Sequence, residues 1–308
     1  MNEQYIYQAD LSDLIGLKPQ RVVSLVPSMT ESLFDLNMGD RLVAVTDYCE
    51  HPADKVAHLP KVGGTKNPNI KQIIALKPDL VIMNQEENRL ADAEALSNAG
   101  IRIWVTHPRT VAEAINMLWD MVGIFDETSM VPRIQHIDRV YDMMALAAES
   151  QPRLKTFVPI WRDPWMTFNR DTYIHDLLYH LGAENVFADR MRQFPLKADL
   201  GQAEPLPSDD PRVSERDVRY PRVSLEEIVS AQPELILLPT EPYAFSESDV
   251  EIFSALDIPA VHYQNIYVVD GSLLTWHGTR IAQALRELPP ILDEARNKIY
   301  PTENGVFE

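Results

Sequence analysis

Apolar and polar positions fall into the same order twice along the chain. Residues 70–82 read Ile-Lys-Gln-Ile-Ile-Ala-Leu-Lys-Pro-Asp-Leu-Val-Ile, and residues 225–237 read Leu-Glu-Glu-Ile-Val-Ser-Ala-Gln-Pro-Glu-Leu-Ile-Leu. Each stretch has the i, i+3, i+4 apolar spacing of an amphipathic helix. A proline then breaks the helix, and an acidic residue leads into a wholly apolar run of strand length. A unit written twice predicts two α/β lobes, with a cleft between them in which a ligand is held.

The flanking pattern agrees. Residues 21–26 (Arg-Val-Val-Ser-Leu-Val) read as a buried strand. A turn at Pro27-Ser28 follows, then a helix from Thr30-Glu31 through Leu33, Phe34, Leu36 and Met38 that stops at Gly39. Strands are predicted over 42–45, 80–83 and 101–105, and helices over 91–99 and 111–123. Continuous apolar strands alternating with helices indicate a parallel sheet covered on both faces. Residues 132–149 are helical without a breaker; at ~1.5 Å per residue this helix runs nearly ~30 Å and is the expected bridge between lobes. The division expected is an N-terminal α/β lobe over 1–126, a bridging helix over 127–151 and a C-terminal α/β lobe over 152–308. The second lobe restarts with a strand over 156–160 and a helix over 172–181 closed by Gly182. Strands over 235–238 and 266–269 and a last helix over 279–297 complete it. Residues 196–220, rich in Pro, Asp and Arg, form a loop long enough to be read as functional or mobile.

Composition narrows the function. With 308 residues, 45% hydrophobic and 24% charged, the chain is long enough for two cores. A net charge of -18 argues against nucleic acid and anionic membrane surfaces as partners. Cys49 is the only cysteine, which excludes an intrachain disulfide and cysteine-rich metal sites. Read as an exposed loop thiol with nothing basic adjoining it, Cys49 is expected to be inert. No run of eighteen apolar residues occurs, so no membrane-spanning helix is expected. Residues 1–20 lack a signal-peptide pattern, so the chain reads as cytoplasmic or as a trimmed mature form, and Met1 leans toward the first. A monomer without a cofactor is expected.

Ligands of open parallel sheets bind beyond the carboxyl ends of the strands. That rule selects the loops 27–30, 46–51, 63–67 and 84–86 in the first half, and 161–169, 241–245 and 271–280 in the second. The candidate ligand contacts in them are Ser28, Tyr48, Thr65, Glu86, Trp161, Arg162, Trp165, Asn169, Tyr243, Trp276, His277 and Arg280. Three of the five tryptophans fall in these loops. Such rings either meet a large flat ligand or pack a seam between lobes. Ser28 lacks the flanking glycines of a nucleophile elbow, leaving helix capping or ligand hydrogen bonding. His51, His107, His175 and His277 show no metal-ligand spacing, and no metal is expected. Gly63-Gly64 lacks a phosphate-loop pattern and reads as a turn.

Three stretches carry a family resemblance: residues 21–31 (Arg-Val-Val-Ser-Leu-Val-Pro-Ser-Met-Thr-Glu), residues 45–52 (Val-Thr-Asp-Tyr-Cys-Glu-His-Pro) and residues 69–82. Residues 182–187 and 220–224 add to it. The chain resembles the helical-backbone (class III) substrate-binding proteins of ABC importers for vitamin B12, haem and ferric siderophores, with the nearest likeness to cobalamin binders. The resemblance spans roughly residues 20–290 and implies two α/β lobes joined by one long helix. It also implies a corrin contact at Tyr48, an aromatic face at Tyr220 where the cobalamin binder has tryptophan, and an arginine of the last cleft loop at Arg280. Thr65 stands where that binder has another tryptophan. The family docks on its permease through one glutamate per lobe. Those positions here are Glu226 and Lys71, the latter of opposite charge, and like charges at a contact are unfavourable.

The reading that results is a non-catalytic substrate-binding protein. Its ligand is a small molecule, corrinoid first and haem or ferric siderophore next, and an ABC permease is its prospective partner. Two alternatives stand beside it. One is a cytoplasmic corrinoid- or metal-handling protein that kept the fold without the transporter; the other is an enzyme using Ser28 or the histidines.

Overall fold

The computed structural model describes residues 11–214 and 216–301. The chain forms two compact units. The first runs through Arg139 and takes in Trp276–Ile281; the second comprises Val140–Thr275 and the chain from Ala282 onward. In chain order the first holds α1 (Leu11–Leu14), β1 (Val22–Ser24), α2 (Pro27–Asp35), β2 (Leu42–Val45), α3 (Ala53–Val56), β3 (Gly63–Gly64), β4 (Asn67–Pro68), α4 (Ile70–Ala75), β5 (Leu80–Asn84), α5 (Leu90–Asn98), β6 (Arg102–Thr106) and α6 (Val111–Phe125). Helix α7 (Val131–Glu149) starts in the first unit and ends in the second without a break. The second unit continues with β7 (Leu154–Phe157), α8 (Tyr173–His180), β8 (Ala183–Asn185), α9 (Leu196–Asp199), α10 (Leu225–Ala231), β9 (Leu235–Pro239), α11 (Glu247–Ser254), α12 (Pro259–His262), β10 (Ile266–Val269), α13 (Ser272–Thr275) and α14 (Ile281–Ile299).

Each unit is built on a four-stranded parallel sheet, ordered β2-β1-β5-β6 in the first and β8-β7-β9-β10 in the second. With strands numbered within each four-stranded sheet, leaving aside the separate β3-β4 pair, either sheet reads 2-1-3-4, the same doubly wound topology twice. Strands β1, β5 and β9, inside their sheets, are buried from end to end, because helices cover both faces. In the first core Val23, Ala44, Val81 and Ile103 meet Ile73 of α4. The second is more aromatic, gathering Phe157, Phe187 and Phe253 around Ile236, Leu238 and Ile228 of α10.

The repeated stretches are structurally equivalent down to single hydrogen bonds. Asn69 caps α4 by accepting from Gln72 N, and Ser224 caps α10 by accepting from Glu227 N. Both helices end at a residue in the left-handed region, Lys77 (φ 48) and Gln232 (φ 48), just before the proline. The acid that follows then hooks the first strand of its unit. The Asp79 carboxylate accepts from Gln20 N (2.7 Å) and Arg21 N (2.9 Å), while Asp79 N donates to Arg21 O (2.7 Å). The Glu234 carboxylate accepts from Lys155 N (2.9 Å), and Glu234 N donates to Lys155 O (2.7 Å). The apolar positions Ile73 and Ile228 face the cores, and Lys71 and Glu226 are exposed.

Several elements depart from the sequence pattern. Helix α2 stops before Gly39; Asn37 (φ 62) makes the left-handed turn, and Gly39 packs so closely on Phe34 that a Cβ would overlap its ring. Cys49 is buried rather than exposed, 1% accessible, with its Sγ 3.1 Å from Thr46 Oγ1 and 3.2 Å from Thr30 Oγ1. Burial pushes its thiol up, which keeps it protonated and unreactive. Lys61 also approaches, donating from Nζ to Cys49 O. Strand β8 (Ala-Glu-Asn) lacks the apolar run that announces a strand, and pairing with β7 creates it. Within the stretch read as a loop, α9 forms, and its fully buried Asp199 accepts from Arg190 Nη1, Gln193 N and Arg222 N.

Replacing Asp79 or Glu234 by alanine removes charge-assisted bonds to the strand entrance and is expected to cost about 1–2 kcal/mol. Thermal unfolding checks this: the midpoint falls by a few degrees in each variant, and the two losses add, because the hooks serve separate sheets.

Candidate functional site

In a 2-1-3-4 sheet the chain leaves the first strand in one direction and the third in the other. The loops at their carboxyl ends therefore part and leave a crevice. In the first unit that switch point lies between β1 and β5, and in the second between β7 and β9.

In the first unit the crevice is edged by the start of α2 and by residues 84–88. Asn88, 8% accessible, stitches them together: its Nδ2 donates to Leu25 O and to Thr65 O, and its Oδ1 accepts from Asn84 N. Ser28 is the second residue of α2; the N-cap is Val26, which makes no side-chain cap, so Ser28 does not cap the helix. Its Oγ is buried and makes no hydrogen bond, so it is not paired with a base as a nucleophile would be. Tyr48 is 62% accessible and lies against Gly64, where an added Cβ would stand 3.3 Å from its ring. Trp276 is met edge-on by His51 at 5.8 Å and covered by the Arg280 guanidinium at 4.9 Å. Arg280 is itself held by Glu31, through Nε to Oε2 and Nη2 to Oε1, both 2.8 Å. Burial raises the Glu31 carboxyl although Arg280 opposes it. His277 is buried near Glu86 and His107; burial pushes its imidazole down to about 4, against the pull of Glu86, so it is neutral at pH 7. Among the described residues no three His, Cys, Asp or Glu side chains form a metal-binding group.

In the second unit a run of rings leads from the surface to the core. Trp161, 45% accessible, meets Tyr243 edge-on at 5.6 Å. Tyr243 contacts Phe245 at 4.6 Å, Phe245 stacks on Trp165 at 6.0 Å, and Trp165 meets core Phe253 at 5.0 Å. Arg162 is anchored by Asp249, Nη1 to Oδ1 at 2.7 Å. Asp249 is in turn fixed as the third-residue acid of the α11 capping box, accepting from Ser246 N. Residues 165–169 pair with the strap 219–223 through Val223 N to Trp165 O, Thr167 N to Pro221 O and Asn169 N to Arg219 O.

These placements divide the sequence-derived candidates. Tyr48 and Trp161 present rings to solvent, Tyr220, Tyr243 and Trp276 are half-buried, and Arg162, Thr65 and Glu86 stand at the loop surfaces. Trp165 belongs to the core, and Asn169 turns its Oδ1 back on Asp171 N. Arg280 and His277 are buried. Glu31, Asn88 and Asp249 escaped the sequence reading because each looks like an ordinary helix or cap residue. Only the Ser-Glu-Ser-Asp spacing at 246–249, a capping box, marked one of them. Two surface hollows, of about 800 Å³ beside β6 and about 580 Å³ beside β8, contain none of the candidates.

Two parallel-sheet units with polar and aromatic loops at the switch points define a two-lobe α/β binding protein. The chain matches the periplasmic binding protein family over residues 22–270; it belongs to that family, whose members bind rather than transform their ligands. It is 24% identical over 281 residues to a vitamin B12-binding protein of Vibrio parahaemolyticus, covering 91% of each chain. Its fold resembles the periplasmic vitamin B12 binding protein BtuF of Vibrio cholerae, with a TM-score of 0.69 at 20% identity, covering 90% of this chain and 98% of that one. The periplasmic heme-binding protein RhuT from Roseiflexus sp. RS-1 gives 0.67 at 21% identity, covering 90% and 99%.

Two outcomes follow for the first unit. Arg280→Met leaves Glu31 as an unpaired, largely buried carboxylate and is expected to lower stability by about 3 kcal/mol. Adding Glu31→Gln recovers part of this, a coupling that a double-mutant cycle of urea unfolding reads directly. His277 has a folded-state value below its ordinary 6.5, so the unfolded chain takes the proton first. Its stabilising contribution is complete above about pH 6.5, is lost as the pH falls toward 4, and amounts to at most ~3 kcal/mol. His277→Gln is expected to flatten the fall in melting temperature between pH 7 and 4.5.

Proposed function

We propose that this protein is the substrate-binding component of an ABC-type importer and holds a bulky ligand in the loops at the carboxyl ends of its strands. The supporting observation is the pair of exposed rings, Tyr48 and Trp161, 62% and 45% accessible, one in each unit beyond the carboxyl end of a sheet strand, β2 and β7. Exposed aromatic surface is favourable once a flat apolar ligand covers it. The relatives named for vitamin B12 and heme make a corrinoid the first candidate, haem the second and a ferric siderophore the third. Tyr243, Tyr220 and Trp276 extend the aromatic contact, while Arg162 and Glu86 offer polar groups at its rim. Ser28 Oγ, without a partner, suits a ligand acceptor.

Permease docking is proposed to run through Glu226, exposed in the first turn of α10. Lys71 holds the equivalent exposed place on α4. A permease surface that meets both carries a cation opposite Glu226 and an anion opposite Lys71.

Titration calorimetry with cobalamin, cobinamide, haem and a ferric siderophore tests the ligand reading, and silence from all four at micromolar concentration would sink it. For whichever ligand binds, Tyr48→Ala and Trp161→Ala are each expected to weaken affinity by about tenfold or more, as loss of a buried aromatic anchor does. Neither should shift the melting temperature.

A further inference from the structure

Arginines gather beside the strap 219–223, although the whole chain has a net charge of -18. Phe194 is buried, 4% accessible, and two guanidinium groups lie on its ring, Arg192 at 4.6 Å and Arg216 at 5.1 Å. Arg222 joins them, its main chain fixed by Asp199 and its Nη1 donating to Tyr220 O at 3.0 Å. The backbone is equally fixed, since Arg192 N donates to Val218 O at 2.8 Å. Among the described residues no carboxylate pairs with the side chains of these three arginines. The two nearby acids are already taken, Asp199 by Arg190 at 3.2 Å and Asp217 by Arg219 at 2.6 Å.

Three like charges gathered on one partly buried patch repel one another and lose hydration. Burial first, and then the charges of Arg222 and Arg216, pull the Arg192 guanidinium below its ordinary range against the opposing pull of Asp199 and Asp217, and burial does the same to Arg222 against Asp199. Guanidinium forks are shaped for oxyanions, binding carboxylate or phosphate through paired charge-assisted hydrogen bonds. Stacking on an aromatic ring holds such a fork in place, so little order remains to be gained when an anion arrives.

We propose that Arg192, Arg216 and Arg222 form an oxyanion-binding subsite that takes a carboxylate or phosphate group on the periphery of the bound ligand. Tyr220 lies in the strap with Arg222, whose Nη1 donates to its carbonyl, so the subsite adjoins a residue of the proposed ligand face. The assignment rests on the ligand-binding reading above and sharpens it. Haem offers two carboxylates and cobalamin one phosphodiester, whereas haem dimethyl ester and cobinamide lack these groups.

The test compares the wild-type chain with Arg192→Gln/Arg216→Gln/Arg222→Gln by tryptophan quenching, using haem against haem dimethyl ester and cobalamin against cobinamide. The wild type should prefer the oxyanion-bearing member of whichever pair binds by about tenfold or more, equivalent to about 1.4 kcal/mol. The triple variant should lose that preference while keeping its affinity for the neutral member. Equal binding of the two members by the wild type, or an unchanged preference in the variant, overturns the subsite. Which pair shows the effect tells carboxylate from phosphate. Should no macrocycle bind, calorimetry with citrate and pyrophosphate judges the subsite alone: binding to the wild type that is lost in the variant upholds it, and no binding to the wild type overturns it. If the triple variant does not fold, the exposed Arg216→Gln and the charge-keeping Arg192→Lys replace it. The first should reduce the preference several-fold and the second retain most of it; two equal effects identify a merely structural role.

Discussion

A parallel sheet buried on both faces must satisfy every backbone group inside the strands, and the place where it opens is the carboxyl end at which neighbouring connections diverge. Everything functional in this protein hangs on that constraint. It is imposed twice, by sheets of the same 2-1-3-4 order. In both, the first strand is positioned by the acid that follows the proline of the repeat, Asp79 for β1 and Glu234 for β7. An acid that looks decorative in sequence thus sets the strand whose far end carries the loops proposed to hold the ligand.

The loops themselves are held by polar groups that pair inward. Asn88 ties the β1 and β5 loops, Asp249 fixes Arg162, Glu31 clamps Arg280, and Asp199 orders the arginine-rich strap. Each is a buried or half-buried side chain satisfied by a local partner, as burial of polar atoms demands. The rings left outward, Tyr48 and Trp161, each adjoin a side chain that pairs inward, Cys49 on Thr30 and Thr46 and Arg162 on Asp249. Such preorganisation favours a binding protein, because little order has to be created when the ligand arrives.

The two units differ within their common plan. The first is polar at its switch point, with neutral His277 beside Glu86 and an unsatisfied Ser28 hydroxyl. The second is aromatic and cationic, with the Trp161-to-Phe253 ring series and the arginines around Phe194. Lys71 and Glu226 carry the same asymmetry to exposed and equivalent helical positions. A duplicated scaffold has therefore been given two unlike faces.

The hydrophobic pattern alone determined the doubling of the α/β unit, most strands, the long helix after residue 130 and the loops at the strand ends, because periodicity and proline punctuation act over neighbouring residues. It also pointed to Tyr48 and Trp161, since aromatics beyond strand ends are legible locally. It missed β8, whose Ala-Glu-Asn becomes a strand only by pairing with β7, and misplaced Cys49, whose burial comes from Thr30 and Thr46 around it. Trp165 and Tyr48 look alike in sequence, yet one is core and the other surface. Tertiary structure alone decided this, along with the Glu31–Arg280 clamp and the gathering of Arg192, Arg216 and Arg222. Burial and charge pairing depend on groups distant along the chain, and no local pattern records which of them will meet.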